Sequence, residues 1–281
     1  MHQPTKDRLE ILSCGSIIQH GPYNDRIYLM KPGAGLPKTL PKELKVMAEQ
    51  NAYSKVFIKI PSQYATAFAE AGYTEEAAIP GFYSGADAGV FMGYYLSRER
   101  AFEADAATLD EILELAKQKA ESPIRPLDDR FALRACGEAD VDEMAEIYRA
   151  VFPTYPFPIH DPLYLRETMQ SHIQYFGVET EGHLVALSSA EMDESSSNVE
   201  MTDFATLPDW LGNGFSVHLL AMMEEAMRQK GIKTAYTIAR ALSPGMNITF
   251  AKLGYTYGGR LRNNTNISGQ IESMNIWYKP L

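Results

Sequence analysis

The first hundred residues alternate short strand-like runs with helical ones. RIYLMKP (26–32) and KVFIKIP (55–61) read as strands, each closed by a proline that cannot extend a ladder. QYATAFAEAGY (63–73) reads as a helix ended by Gly72, and VFMGYYL (90–96) as a further strand. In AFEADAATLDEILELAKQKAE (101–121), Leu109, Ile112, Leu113 and Ala116 share one face of a long amphipathic helix. SPIRPLDDR (122–130) breaks that pattern with two prolines and a charge cluster. The domain boundary is placed there, with a smaller α/β unit over 1–125 and a second unit over 131–281.

The second unit has a regular plan. FALRAC (131–136) is a strand, and Val141, Met144, Ile147, Tyr148 and Val151 mark a helix. After a proline- and aromatic-rich loop, TYPFPIH (154–160), Asp161 and Pro162 supply the N-cap and first position of another helix. IQYFGVETEGHLVALSSAEM (173–192) reads as a hairpin turning near Glu181-Gly182, and VEMTDFAT (199–206) as the next strand. A helix over 215–231 ends at Gly231, and a strand (234–239), a short helix (245–255) and a final strand (272–279) complete the order. The whole reads as an α/β protein, a mixed sheet flanked by helices.

An internal echo runs through both units. FAEAGYTEEAAIPGFYSGADAGVFMGYYL, from Phe68, aligns without gaps to FAKLGYTYGGRLRNNTNISGQIESMNIWY, from Phe250, at a constant offset of 182 positions. The first unit therefore reads as a degenerate duplicate of the end of the second.

Composition narrows the function classes. Apolar residues make up 45% of the 281 and charged residues 22%, enough for a sizeable core. A net charge of -10 argues against a nucleic-acid partner. Two cysteines give neither a disulfide framework nor metal-ligand spacing, and the six histidines are scattered, so no metal is expected. No apolar run is long enough to cross a membrane, and the N-terminal stretch lacks the plan of an export signal, so the expected compartment is the cytoplasm. Oligomeric state is left open, a homodimer included.

The segment FATLPDWLGNGFSVHLL (204–220) sets two glycines between a strand and a helix. Amides at a helix start and the helix dipole attract anions, and glycine lets a ligand approach closely. Leu211, Gly212, Asn213, Gly214, Phe215 and Ser216 can therefore cradle a pyrophosphate, or form a plain turn. The segment is neither a P-loop nor a dinucleotide fingerprint, since no Lys-Ser/Thr follows the second glycine and the third glycine is absent.

The order of elements from 131, with this turn and Phe250-Ala251-Lys252-Leu253-Gly254-Tyr255, resembles the GNAT superfamily of acetyl-CoA-dependent N-acetyltransferases. The family's turn reads Arg/Gln-x-x-Gly-x-Gly/Ala, so Gly214 matches while Leu211 departs. The resemblance implies coenzyme A contacts from the turn and Asn247, with strand pairing and oxyanion stabilisation near Ala205 and Thr206. The family's tyrosine acid falls at Phe250, which leaves water, Tyr255, Tyr257 or an unassisted thiolate in its place.

More narrowly, EMTDFATLP (200–208), GIKTAYTIARALSPGMNITFAKLGY (231–255), NNTNISGQIESMNIWYK (263–279) and IPGFYSG (79–85) resemble the β-lysine N6-acetyltransferases, which make a neutral compatible solute used in osmoadaptation. This implies Glu200 as general base, with Asp203 as a second catalytic carboxylate or a substrate contact. On a regular strand those two residues face opposite sides, and only a bulge would bring them together. Arg240, Asn263, Asn264, Asn266 and Tyr83 are the candidates for the substrate's carboxylate. Tyr155 is expected as an aromatic wall. The Asn run could equally be a hairpin loop. Two other readings stay open: an acetyltransferase for another small amine, and a non-catalytic acyl-CoA-binding module, for which Leu211 and Phe250 argue.

Overall fold

Glu181 and Gly182, both at positive φ (52° and 80°), turn the chain sharply between two strands, as the hairpin pattern predicts. The structure, a computed structural model, describes residues 7–281; residues 1–6, part of the stretch read for an export signal, lie outside the described residues. The N-terminal half runs β1 (Arg8–Ile11), β2 (Ile17–Gly21), β3 (Arg26–Lys31), α1 (Leu40–Gln50), β4 (Lys55–Pro61), α2 (Ala65–Glu70), β5 (Thr74–Tyr83) and β6 (Asp87–Tyr95), followed by α3 (Arg98–Ala101) and α4 (Ala106–Lys119). The C-terminal half runs β7 (Ala132–Ala135), α5 (Val141–Val151), α6 (Pro162–Met169), β8 (Ile173–Thr180), β9 (His183–Asp193), β10 (Asn198–Thr206), α7 (Phe215–Gln229), β11 (Thr234–Arg240), α8 (Pro244–Lys252), β12 (Thr256–Ile267) and β13 (Gln270–Pro280).

All the strands join one sheet, in the order β1-β2-β3-β4-β6-β5-β12-β13-β11-β10-β9-β8-β7. Read from its two edges, this order repeats itself. In each half an antiparallel meander leads to one parallel pair, β3 with β4 and β10 with β11, and a hairpin closes the unit, β5 with β6 and β12 with β13. The expected mixed α/β sheet is the fold, and the N-terminal half is GNAT-like in plan, with no counterparts of β7, α5 and α6 among the described residues.

The echo holds in detail. Phe68 meets Tyr73 edge-on at 5.1 Å, and Phe250 meets Tyr255 edge-on at 5.0 Å. Tyr73 N donates to the Phe68 carbonyl and Tyr255 N to the Phe250 carbonyl, both at 3.1 Å. Bulges fall between Glu75 and Ala77 and between Tyr257 and Gly259, equivalent places in the repeat. Ala77 and Gly259 are themselves equivalent, and they pair with each other where β5 meets β12, so the halves join across a local two-fold axis. Glycine is required there: its φ is 139°, and a Cβ would lie 2.2 Å from the Glu76 carbonyl oxygen.

Several boundaries differ from the sequence reading. The helix expected over 101–121 starts at Ala106, and the one over 63–73 divides into a 3-10 turn (Ser62–Tyr64) and α2. α4 precedes the proposed boundary at 122–130, yet its Leu113 and Ala116 pack in the core that holds Phe250 and Ala251. The Asn run is no hairpin loop: it lies within β12, where two extra residues bulge between Leu261 and Thr265 and Asn263 takes φ 42°.

Candidate active site

β10 and β11 pair only through Asn198, Val199 and Glu200. Beyond Glu200 they part, although β10 continues to Thr206 and β11 to Arg240. The cause lies on the other edge of β10. Thr202 faces Ser189 and Ala205 faces Leu187, so β10 carries one extra residue there. Such a bulge bends and twists its strand. Asp203 sits in it at φ 56°. The bulge brings Glu200 and Asp203 to the lining of one pocket, which two residues three apart on a regular strand would not share.

The pocket lies between the halves. β3 and β4 contribute Arg26, Tyr28, Phe57 and Lys59, and the 152–159 loop contributes Tyr155 and Phe157. Glu191 stands directly across from Glu200 on β9, and Tyr236 is its partner on β11. Lys59 Nζ donates to the Tyr236 hydroxyl at 3.2 Å.

Burial raises the Glu200 carboxyl to about 7. Repulsion from Glu191 adds to the rise, while Lys59 and a hydrogen bond from Tyr236 oppose it. Glu191 is also raised, first by burial, with His172, 3.8 Å away, and Lys59 opposing the rise. Burial opposes the Lys59 ammonium, but Tyr28, Glu200 and Glu191 outweigh it and raise its pKa. The result is a carboxyl able to lose a proton near neutrality, beside a second carboxylate, with Lys59 acting on both and His172 on the far side of Glu191.

Asp203 is differently placed. Its carboxylate accepts from the Ser189 hydroxyl at 2.5 Å, from the Tyr155 phenol and, at 3.5 Å, from Thr202. It ties the bulge to β9 and holds the 152–159 loop over the pocket. Tyr155 is thus both pocket wall and anchor.

Other residues singled out from sequence fall elsewhere. Arg240 lines the pocket, but its Nε and Nη2 donate to both oxygens of buried Glu272 at 2.8 and 2.7 Å, so a carboxylate of the protein fills its fork. Asn263 turns away and donates to the carbonyls of Arg100 (2.9 Å) and Phe102 (2.8 Å). Asn266 donates to the Tyr23 carbonyl at 2.8 Å and does not line the pocket, whereas Asn264 does. Tyr83 packs edge-on against Phe82 outside the lining.

Asn247 is the residue expected to contact coenzyme A. It is fully buried; its amide donates to the carbonyls of Arg240 (3.1 Å) and Ser243 (2.8 Å), and its oxygen accepts from Asn275 (2.8 Å) and Trp277 (2.9 Å). All its hydrogen-bonding places are spent on joining α8 to β11 and β13. Phe250 is a core residue, and Tyr255 packs edge-on against it. Tyr257 leans on Trp277, and neither tyrosine lines the pocket.

The glycine turn leads into the 15-residue α7, with Gly214 as N-cap at φ 75° and Gly212 at φ 87°. A Cβ at either glycine would meet nothing within 4 Å. No backbone carbonyl of a described residue accepts from the amides of Gly212, Asn213 or Gly214. Asn213 donates its side chain to the Trp210 carbonyl (2.9 Å), Leu211 is 67% exposed, Ser216 is half-buried, and Phe215 is core, edge-on to Phe131 at 4.8 Å. Open amides at the positive end of a helix, beside strand edges that part, fit a long pyrophosphate-bearing co-substrate. Ala205 and Thr206 lie on β10 between the bulge and this turn. Among the described residues no cluster could hold a metal ion, and no helix is long and apolar enough to cross a membrane.

Sequence analysis missed Glu191, Lys59, Tyr236 and Arg26. Glu191 and Tyr236 join the pocket through their register with Glu200, and Lys59 and Arg26 because β4 and β3 of the other half line the same pocket.

Residues 141–255 match the model of the acetyltransferase (GNAT) family. The β-lysine N(6)-acetyltransferase of Methanococcus maripaludis is 41% identical over 94% of this chain and 96% of its own length. The enzyme of that name from Methanosarcina mazei is 34% identical over 85% of this chain and 95% of its own. The ribosomal-protein-S18-alanine N-acetyltransferase of Escherichia coli is 15% identical, with a TM-score of 0.47 over 53% of this chain and 93% of its own. The match to the family model and the near full-length identity to two acetyltransferases establish that the chain belongs to the GNAT family of acetyltransferases.

Proposed function

We propose that the chain acetylates the N6 amine of β-lysine with acetyl-CoA, giving N6-acetyl-β-lysine, a neutral compatible solute of the cytoplasm. The relatives supply the substrate class. The observation that carries the chemistry is the position of Glu200, the last residue of β10 paired to β11, raised to about 7 and open to the pocket.

Acetyl-CoA supplies an activated acetyl thioester. The open amides of 212–214 and the start of α7 hold its pyrophosphate, and the parted edges of β10 and β11 receive its arm. A side-chain amine with a pKa near 10.4 arrives as an ammonium. Glu191 and Glu200 attract it, and Glu200 accepts its proton directly or through water, freeing the lone pair for the thioester carbonyl. Asp203 positions Tyr155 and the loop that covers the acceptor. With phenylalanine at 250 inside the core, the C–S bond breaks with coenzyme A leaving as a thiolate, tolerable for a group as acidic as a cysteine thiol, near 8.5, and the second proton of the amine nitrogen passes to water.

The test is coenzyme A release with β-lysine, α-lysine or a diamine over a range of pH. Highest kcat/KM for β-lysine supports the reading. Turnover of a diamine alone would keep the chemistry and discard the substrate, and binding of acetyl-CoA with no turnover would favour a binding module.

A further inference from the structure

The acidic pair accounts for an amine but not for β-lysine, because a diamine presents the same ammonium. What sets β-lysine apart is a carboxylate at the end remote from N6. Arg240 is committed to Glu272, so that carboxylate needs another cation.

Lys55 pairs with Glu76 and Arg100 with Asp25, and the pocket's other cation, Lys59, is balanced by Glu200 and Glu191 and bonded to Tyr236. Arg26, on β3 of the N-terminal half, is the exception. It is 4% exposed and lines the pocket, and no carboxylate of a described residue forms an ion pair with it. Its Nη1 donates to the Asn264 carbonyl and to Thr265 Oγ1 (3.3 Å), while its Nε is buried without a partner among the described residues. The guanidinium stacks over Tyr28 at 5.2 Å and Phe57 at 5.6 Å, which fixes its plane. An uncompensated buried cation with an idle donor is costly unless an anion arrives. Asn264 Oδ1, buried and also without a partner, adds an acceptor beside it.

We propose that Arg26 is the carboxylate anchor of the acceptor site, with Thr265 donating its hydroxyl to the same carboxylate and Asn264 Oδ1 accepting from the neighbouring 3-ammonium. The N-terminal half then supplies specificity to a reaction carried out by the C-terminal half. The pocket is bipolar, with Glu191 and Glu200 holding the amine end and Arg26 the acid end. This rests on the β-lysine reading for the second ammonium, but requires only an amine that also bears a carboxylate.

The experiment compares β-lysine with its decarboxylated counterpart, 1,4-diaminopentane, in wild type, Arg26→Gln and Asn264→Asp. The wild-type ratio of kcat/KM favours β-lysine, and Arg26→Gln lowers that ratio by about 100-fold, mainly through KM. Asn264→Asp sets a carboxylate of the protein against Arg26, so it lowers the ratio similarly while raising Tm, and it keeps the test decisive if Arg26→Gln fails to fold. A ratio within threefold of wild type in either folded variant overturns the anchor. A wild type that ignores β-lysine yet prefers 6-aminohexanoate to pentylamine overturns the β-lysine reading alone. No preference for any carboxylate-bearing amine overturns the anchor itself.

Discussion

Glu200 and Glu191 stand directly opposite each other on β10 and β9, two carboxylates on one face of the sheet, both lining the pocket. Like charges in such a pair destabilise a sheet by about 0.2–1 kcal/mol. Their repulsion is one reason the Glu200 carboxyl sits at about 7, after burial.

Replacing Glu200 with Gln removes the proton acceptor and keeps the shape. General bases contribute roughly 10²–10⁴-fold. The expected result is a fall of that order in kcat/KM at pH 8, with the fold retained by circular dichroism. In wild type, activity rises with pH through about 7 as Glu200 ionises, and that acid limb disappears in the variant. Full activity of Glu200→Gln between pH 7 and 9 would remove Glu200 from the base role.

Glu191→Gln tests the pair from the other side. Without the opposing charge, Glu200 ionises more easily, so the acid limb of kcat/KM moves below pH 7. Stability follows with a definite sign. The folded pKa of Glu200 lies above its unfolded value of 4.5, so the folded state binds this proton more tightly. Its stabilising contribution is full below pH 4.5 and is lost as pH rises through about 7. Removing the repulsion therefore raises Tm at pH 8, by one or two degrees for about 0.5 kcal/mol, and hardly changes it at pH 4. A fall in Tm at pH 8 would contradict this balance.

Tyr155→Phe leaves the pocket wall in place and removes the phenol that donates to Asp203. A buried carboxylate that loses a donor costs about 1–3 kcal/mol. In the proposed function the loop it anchors covers the acceptor, so KM for the amine should rise several-fold, while KM for acetyl-CoA moves little. Equal changes in both would mean that the effect comes from the sheet and not from the loop.

Most of the C-terminal half is legible in the sequence because its elements keep one period each. The hairpin turn at Glu181-Gly182 and the apolar face of α7 are examples. β12 was not legible: as the seam between halves it faces protein on both edges, and its TYGGRLRNNTNI shows neither alternation nor an apolar run. Glu200 and the glycine turn were found through resemblance and helix-end chemistry. Glu191 is hidden because its place depends on the register of β9 against β10, Arg26 because it reaches the pocket from the other half, and the burial of Asn247 because its four partners come from three elements.

Asn247 gives the sharpest contrast between a contact for coenzyme A and a brace for the fold. In Asn247→Leu, the amide of Asn275 and the indole N–H of Trp277 lose their shared acceptor inside the core, and the carbonyls of Arg240 and Ser243 lose a donor. Unsatisfied buried groups cost about 1–3 kcal/mol each, partly relieved by relaxation, so a loss of about 3 kcal/mol is expected. That lowers Tm by about 6–12 °C in a chain of this size. At a temperature where the variant is still folded, KM for acetyl-CoA should stay within about twofold of wild type, because the side chain is sealed from the parted strands by its own partners. A tenfold rise in that KM with an unchanged Tm would restore the coenzyme A role.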